Sequence, residues 1–88
     1  MEKVIATISR GPDVLVKYVT VWIKFAEKNG KQVWHGSFFH REGDHVPVGG
    51  PYTLTTNDGR EGEIMVSRST VGGRQETKIE FVGSGPFA

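Results

Sequence analysis

Cysteine is missing from this 88-residue chain. Disulfides and thiolate metal centres are therefore excluded, and stability must come from packing. The same absence suits a reducing compartment, so we expect a cytoplasmic protein. Long hydrophobic runs are missing too. Met1–Ser9 lacks the apolar core of a signal peptide, and no run approaches membrane-spanning length, so no membrane role is expected. A strong charge of either sign is also missing. Lys and Arg total 11 against 10 Asp and Glu, a net charge of +1. Residues 1–48 carry seven basic and five acidic groups, and residues 49–88 carry four and five. Neither part has the basic excess of an electrostatic nucleic-acid binder. Helix signals, heptads, internal repeats and low-complexity tracts do not occur. Val14–Glu27 could be read as a helix, but Val14, Val16, Val19, Thr20, Val21 and Ile23 have restricted χ1 torsions that disfavour it.

What is present is turn chemistry. Hydrophobic residues make up 36%, charged residues 24%, and there are 12 glycines. With many β-branched side chains, this describes one all-β domain over residues 1–88. Gly50–Gly83 organises it. Thr56-Asn57-Asp58-Gly59-Arg60 reads as a three-residue hairpin loop with Gly59 at positive φ. That loop pairs Leu54 with Gly62 and Tyr52 with Ile64. A two-residue Asp58-Gly59 turn would set Leu54 against Glu63 and mix apolar with polar, so it is rejected. Gly72-Gly73 reads as a type I′ turn, pairing Val66 with Ile79, Ile64 with Phe81 and Gly62 with Gly83. The inner face is then Tyr52, Leu54, Ile64, Val66, Ile79 and Phe81. Adjacent glycines at 62 and 83 predict a curled sheet there.

Asn29-Gly30 is the strongest short hairpin signal. It pairs Phe25 with Trp34, Ile23 with Gly36, Val21 with Phe38 and Val19 with His40. The opposite face pairs Ala26 with Val33, Lys24 with His35, Trp22 with Ser37 and Thr20 with Phe39. The expected strands are 3–9, 14–27, 31–41, 51–56, 60–71 and 74–83, with a polar loop over His40–Gly50. The Ser84–Ala88 tail leaves the sheet, with Phe87 available as an apolar plug. Six strands built from hairpins predict a small antiparallel barrel or rolled sheet.

Chemical motifs are sparse. His35, His40 and His45 fall near Glu42 and Asp44, but no closed zinc spacing is present, and we expect a solvated loop rather than a metal site. Ser37 and Ser84 follow glycines without forming a nucleophile elbow. Glu61, Glu63 and Glu80 share an outer strand face, where carboxylates are ordinarily solvated and lack the burial that shifts a catalytic pKa. The glycine-rich pairs open no helix, so phosphate cradles are excluded. No enzyme activity and no cofactor are expected.

One face remains to be explained. Tyr18, Trp22, Lys24, Val33, His35 and Phe39 share the side of the long hairpin turned away from the core. Either the N-terminal strand or the Phe87 tail covers them, or they meet a partner, since soluble monomers seldom leave such a patch bare. We expect a non-enzymatic binding or protein-interaction module, with a protein partner or a second copy on this face. The alternative is a single-stranded nucleic-acid-binding small barrel, whose aromatic platforms beside basic groups stack bases.

Overall fold

The computed structural model describes residues 1–41, 44–73 and 76–88. Six antiparallel strands close into a small barrel: β1 (Glu2–Arg10), β2 (Asp13–Lys28), β3 (Lys31–Arg41), β4 (Gly49–Thr56), β5 (Glu61–Val71) and β6 (Glu76–Ser84). Their order around the barrel is β1-β2-β3-β6-β5-β4, with β4 returning to β1. The described residues contain no helix, hence none long and apolar enough to cross a membrane.

Alternation along each strand explains the core. Val4, Ala6 and Ile8 of β1, Val21 and Ile23 of β2, and Trp34 and Phe38 of β3 point inward and are buried. So are Tyr52, Leu54, Ile64, Val66, Ile79 and Phe81, the six residues expected to line the inner face of the meander. Register shifts interrupt strict alternation in β2, β4 and β5. In β2 the pairing to β1 shifts between Ala6↔Val19 and Ile8↔Val16, leaving Lys17 and Tyr18 opposite Thr7. A regular strand with Val19 and Val21 inward would drive Lys17 into the core. The bulge turns Lys17 outward and buries Val16 instead. A second shift lies between Ile8 and Ser9.

Two hairpin registers match expectation. Asn29 (φ 54) and Gly30 (φ 75) form the β2–β3 turn, with Phe25↔Trp34, Ile23↔Gly36 and Val21↔Phe38 paired. Gly59 has φ 94, and Tyr52↔Ile64 and Leu54↔Gly62 are paired. The third differs. Val66 meets Phe81 and Ile64 meets Gly83, two residues from the expected register. The connection is wider than a Gly72-Gly73 turn: Val71 pairs with Thr77, and the Gly72 amide donates to the Glu76 carbonyl at 2.9 Å. Residues 74 and 75, assigned to the start of the last strand by the sequence reading, lie outside the described residues. A shift of two keeps every side chain on its face, which is why the core prediction survives. Ser67 makes this work. Next to the loop the ladder runs Arg68↔Glu80, a parity that would set Val66 against an outward residue, and leaving Ser67 unpaired restores Val66↔Phe81. The Ser67 hydroxyl donates to the Glu80 carbonyl at 3.1 Å.

Gly62 and Gly83 are consequently not neighbours, and they answer a steric need rather than a bend. A Cβ on Gly83 would collide with the Trp34 indole, and one on Gly62 would lie 2.7 Å from the same ring. Trp34 fills one end of the barrel. Phe87 of the tail stacks on it at 4.8 Å, as a plug, and the indole Nε1 donates to the Gly85 carbonyl at 2.9 Å. Arg60 lies over the outer side of Phe87 at 5.0 Å and grips Glu2 through two hydrogen bonds of 3.0 and 2.6 Å. Asp58 also accepts from Arg60, and the Thr56 hydroxyl donates to Asp58. The connection from β3 to β4 must span the other end, since those strands face each other across the barrel. Val46 is buried there, and the Tyr52 hydroxyl donates to the Pro47 carbonyl at 2.7 Å.

Candidate functional site

The β2–β3 ladder stops at Val21↔Phe38. The expected pairs Thr20–Phe39 and Val19–His40 do not form. Beyond that point β2 bends away through its bulge while continuing to pair with β1, and β3 continues straight beside β6. The strands part into a wedge-shaped cleft of about 420 Å³, lined by residues that include Tyr18, Trp22, Phe39, Lys17, Arg41 and Asp44.

Backbone geometry places the aromatics. Tyr18 occupies the bulge at φ 56, in the left-handed region, and is 68% exposed. A bulky residue there is a genuine outlier, costing on the order of 1–2 kcal/mol. The Lys17 ammonium lies 5.3 Å from the Tyr18 ring centroid. Trp22 is half-buried at the apex, where the strands separate, and Phe39 packs edge-on against it at 6.3 Å. Phe39 is still 43% exposed. His40 forms part of the floor, largely buried, with Nδ1 3.1 Å from the Arg41 carbonyl oxygen.

Neither expected cover is on this face. β1 lies beside β2 in the barrel wall, and Phe87 is at the Trp34 end. Of the six residues singled out from sequence, the cleft gathers Tyr18, Trp22 and Phe39. Lys24 and His35 pair with each other further along the outer wall, beside Val82, and Val33 pairs with Ala26 nearer the hairpin tip. Lys17, His40, Arg41 and Asp44 were not anticipated at the site. A bulge that displaces Lys17 toward the cleft has no signal in a regular alternation pattern, although a lysine in phase with Val19 and Val21 is the conflict that announces one.

The other candidates are dispersed. His35 sits in the outer wall, His40 in the cleft floor and His45 in the exposed connection. Glu42 lies outside the described residues, and among those described no three His, Asp or Glu side chains are grouped to hold a metal. Glu80 engages Arg68 at 3.9 Å, while Glu61 and Glu63 are exposed on β5. The perturbed pKa values lie at the opposite end of the barrel. Hydrogen bonds from Arg60 and then Thr56 hold the Asp58 carboxyl down at about 2, and Arg60 likewise holds Glu2 below the usual carboxylate range. Both carboxylates are solvent-accessible and hold Arg60 over the Phe87 plug, which marks them as structural. No protein-family model, curated protein or solved structure matches this chain.

Proposed function

We propose that this protein is a non-enzymatic binding module whose ligand site is the β2–β3 cleft. The observation that carries the reading is Tyr18: an exposed aromatic held at positive φ beside an open ladder. Backbone strain persists where surrounding structure enforces it, and such outliers cluster at functional sites. The exposed ring of Phe39 and the adjoining Trp22 add the aromatic character of interface hot spots. The expected ligand is a protein segment. A single-stranded nucleic acid is the second reading, favoured by the Lys17–Tyr18 pair and by Arg41 on the same rim.

The test is comparative capture from native extract, with wild type and a Tyr18→Asn/Phe39→Ser variant as baits. Circular dichroism first establishes that both are folded. A partner retained by wild type through nuclease treatment and moderate salt, and lost by the variant, supports a protein ligand. Capture abolished by nuclease and steeply weakened by salt supports nucleic acid. Equal capture by both baits, with equal sedimentation, removes the cleft from consideration.

A further inference from the structure

The wedge interrupts a ladder that elsewhere runs around the barrel. In β2, Val16, Val19 and Thr20 pair only toward β1 while Lys17 and Tyr18 stand in the bulge, and residues 39–41 of β3 pair only toward β6. Each therefore offers a free edge to the cleft, and a free edge is a template for another strand. The two edges are not equivalent. That of β2 carries the bulge and the left-handed Tyr18, which disrupt its hydrogen-bonding rhythm. That of β3 is regular: Phe39↔Lys78, His40↔Thr77 and Arg41↔Glu76 follow without a register shift, and since the Arg41 carbonyl already accepts from the Asp44 amide at 3.1 Å, the open part runs from Phe39 to the Arg41 amide. An incoming strand on the β3 edge would lie over the cleft floor, with alternate side chains reaching Tyr18, Trp22 and Phe39.

Charge selects the sequence of that strand. Among the described residues lining the cleft, Lys17 and Arg41 are opposed by Asp44 alone. Across the neighbouring strands Lys3, paired with Trp22, and Lys78, paired with Phe39, add positive charge against Glu76, paired with Arg41, so cations still outnumber carboxylates around the opening. Lysine and a bulge are also devices that guard an edge against aggregation. Guarding accounts for Lys17, but not for three aromatic side chains gathered around the opening.

We propose that the cleft takes an extended peptide segment, acidic residues alternating with apolar ones, by strand addition to the Phe39–Arg41 edge of β3. This rests on reading the cleft as the binding site. The probes are end-blocked peptides of about eight residues, enough to span the cleft at about 3.3 Å per residue. One panel alternates Glu with Val, Leu or Tyr, a second replaces Glu by Lys, and a third carries backbone N-methyl groups on one or the other set of alternate nitrogens. Oligothymidylate of similar length is the comparison. Binding is read by heteronuclear NMR on the full chain.

The Glu panel should shift the Tyr18, Trp22 and Phe39 resonances and slow amide exchange within residues 39–41. The Lys panel should bind at least about tenfold more weakly. Methylation of one set of nitrogens should weaken binding by at least about tenfold, and methylation of the other set should have little effect, because only one edge of the peptide meets β3. Lys17→Glu with Arg41→Glu should remove the preference for Glu over Lys. Indifference to both methylation patterns overturns strand addition. Binding of oligothymidylate but no peptide overturns it too, while leaving the cleft as a binding site. If neither class perturbs the cleft resonances, this inference and the reading beneath it both fall.

Discussion

Gly83→Ala tests the packing of the barrel most directly. The added methyl would occupy space held by the Trp34 indole. Trp34 is 3% exposed, stacked against Phe87, packed edge-on to Phe81 at 6.1 Å and hydrogen-bonded to Gly85. Overpacking of a well-filled core costs about 1–3 kcal/mol, and outright loss of a buried tryptophan about 3–5. Partial displacement of the ring falls between, at about 2–4 kcal/mol. A domain of this length has on the order of 5–13 kcal/mol in total, so the melting temperature should fall by roughly 10–30 °C. Urea unfolding followed by tryptophan fluorescence and far-UV circular dichroism measures it. Gly59→Ala is the control: its φ is 94 with nothing within 4 Å, so it should cost only about 1 kcal/mol, through backbone strain alone. Combining Gly83→Ala with Trp34→Phe should show coupling of about 1 kcal/mol or more, the smaller ring accommodating the methyl. A Gly83→Ala protein within about 0.5 kcal/mol of wild type would refute the close approach of Trp34.

Three further expectations address other parts of the molecule. Tyr18→Asn should keep or raise the melting temperature, because asparagine tolerates the left-handed region, whereas Tyr18→Val should be about 1–2 kcal/mol less stable than the asparagine variant; equal melts would argue against positive φ at this site. Phe87→Ala should destabilise by about 2–4 kcal/mol through loss of the plug against Trp34 and Phe25, reported by a change in Trp34 fluorescence. The Asp58 carboxyl, held down at about 2 by Arg60 and Thr56, releases its proton more readily in the folded chain than in the unfolded one, where its pKa is about 4. Its stabilising contribution is therefore complete above about pH 4 and disappears as pH falls through about 2. Asp58→Asn should flatten acid-induced melting over that window, and an unchanged acid profile would count against the Arg60 clasp.

Much of the fold was legible because turns and faces constrain each other. Asn29-Gly30 and Gly59 require particular backbone signs, and each implied one register that also separated apolar from polar residues. Gly72-Gly73 misled because two glycines permit a tight turn without requiring one; the ladder there closes at Val71↔Thr77 instead. The glycines at 62 and 83 show the same ambiguity. A missing side chain can mark a bend or a seat for a distant ring, and Trp34 is remote from both in sequence. The candidate site was half legible. Alternation put Tyr18, Trp22 and Phe39 on one outer face, but the cleft depends on two strands parting, which is a property of the closed barrel rather than of either strand.

The unpaired Ser67 has a consequence for how this chain can vary in length. A β-strand records only whether a residue is odd or even in the count from its turn, and Ser67 changes that count by one. One residue gained or lost in the β5–β6 connection would invert Ile79 and Phe81 unless Ser67 were deleted or the extra residue absorbed elsewhere. Two residues would leave both phenylalanine and isoleucine facing inward. Descendants of this chain should accordingly show loop lengths that change in pairs, or singly together with the gain or loss of the bulge. The bulge acts as a parity bit, carried by one serine, for a hairpin whose tip is otherwise free to drift.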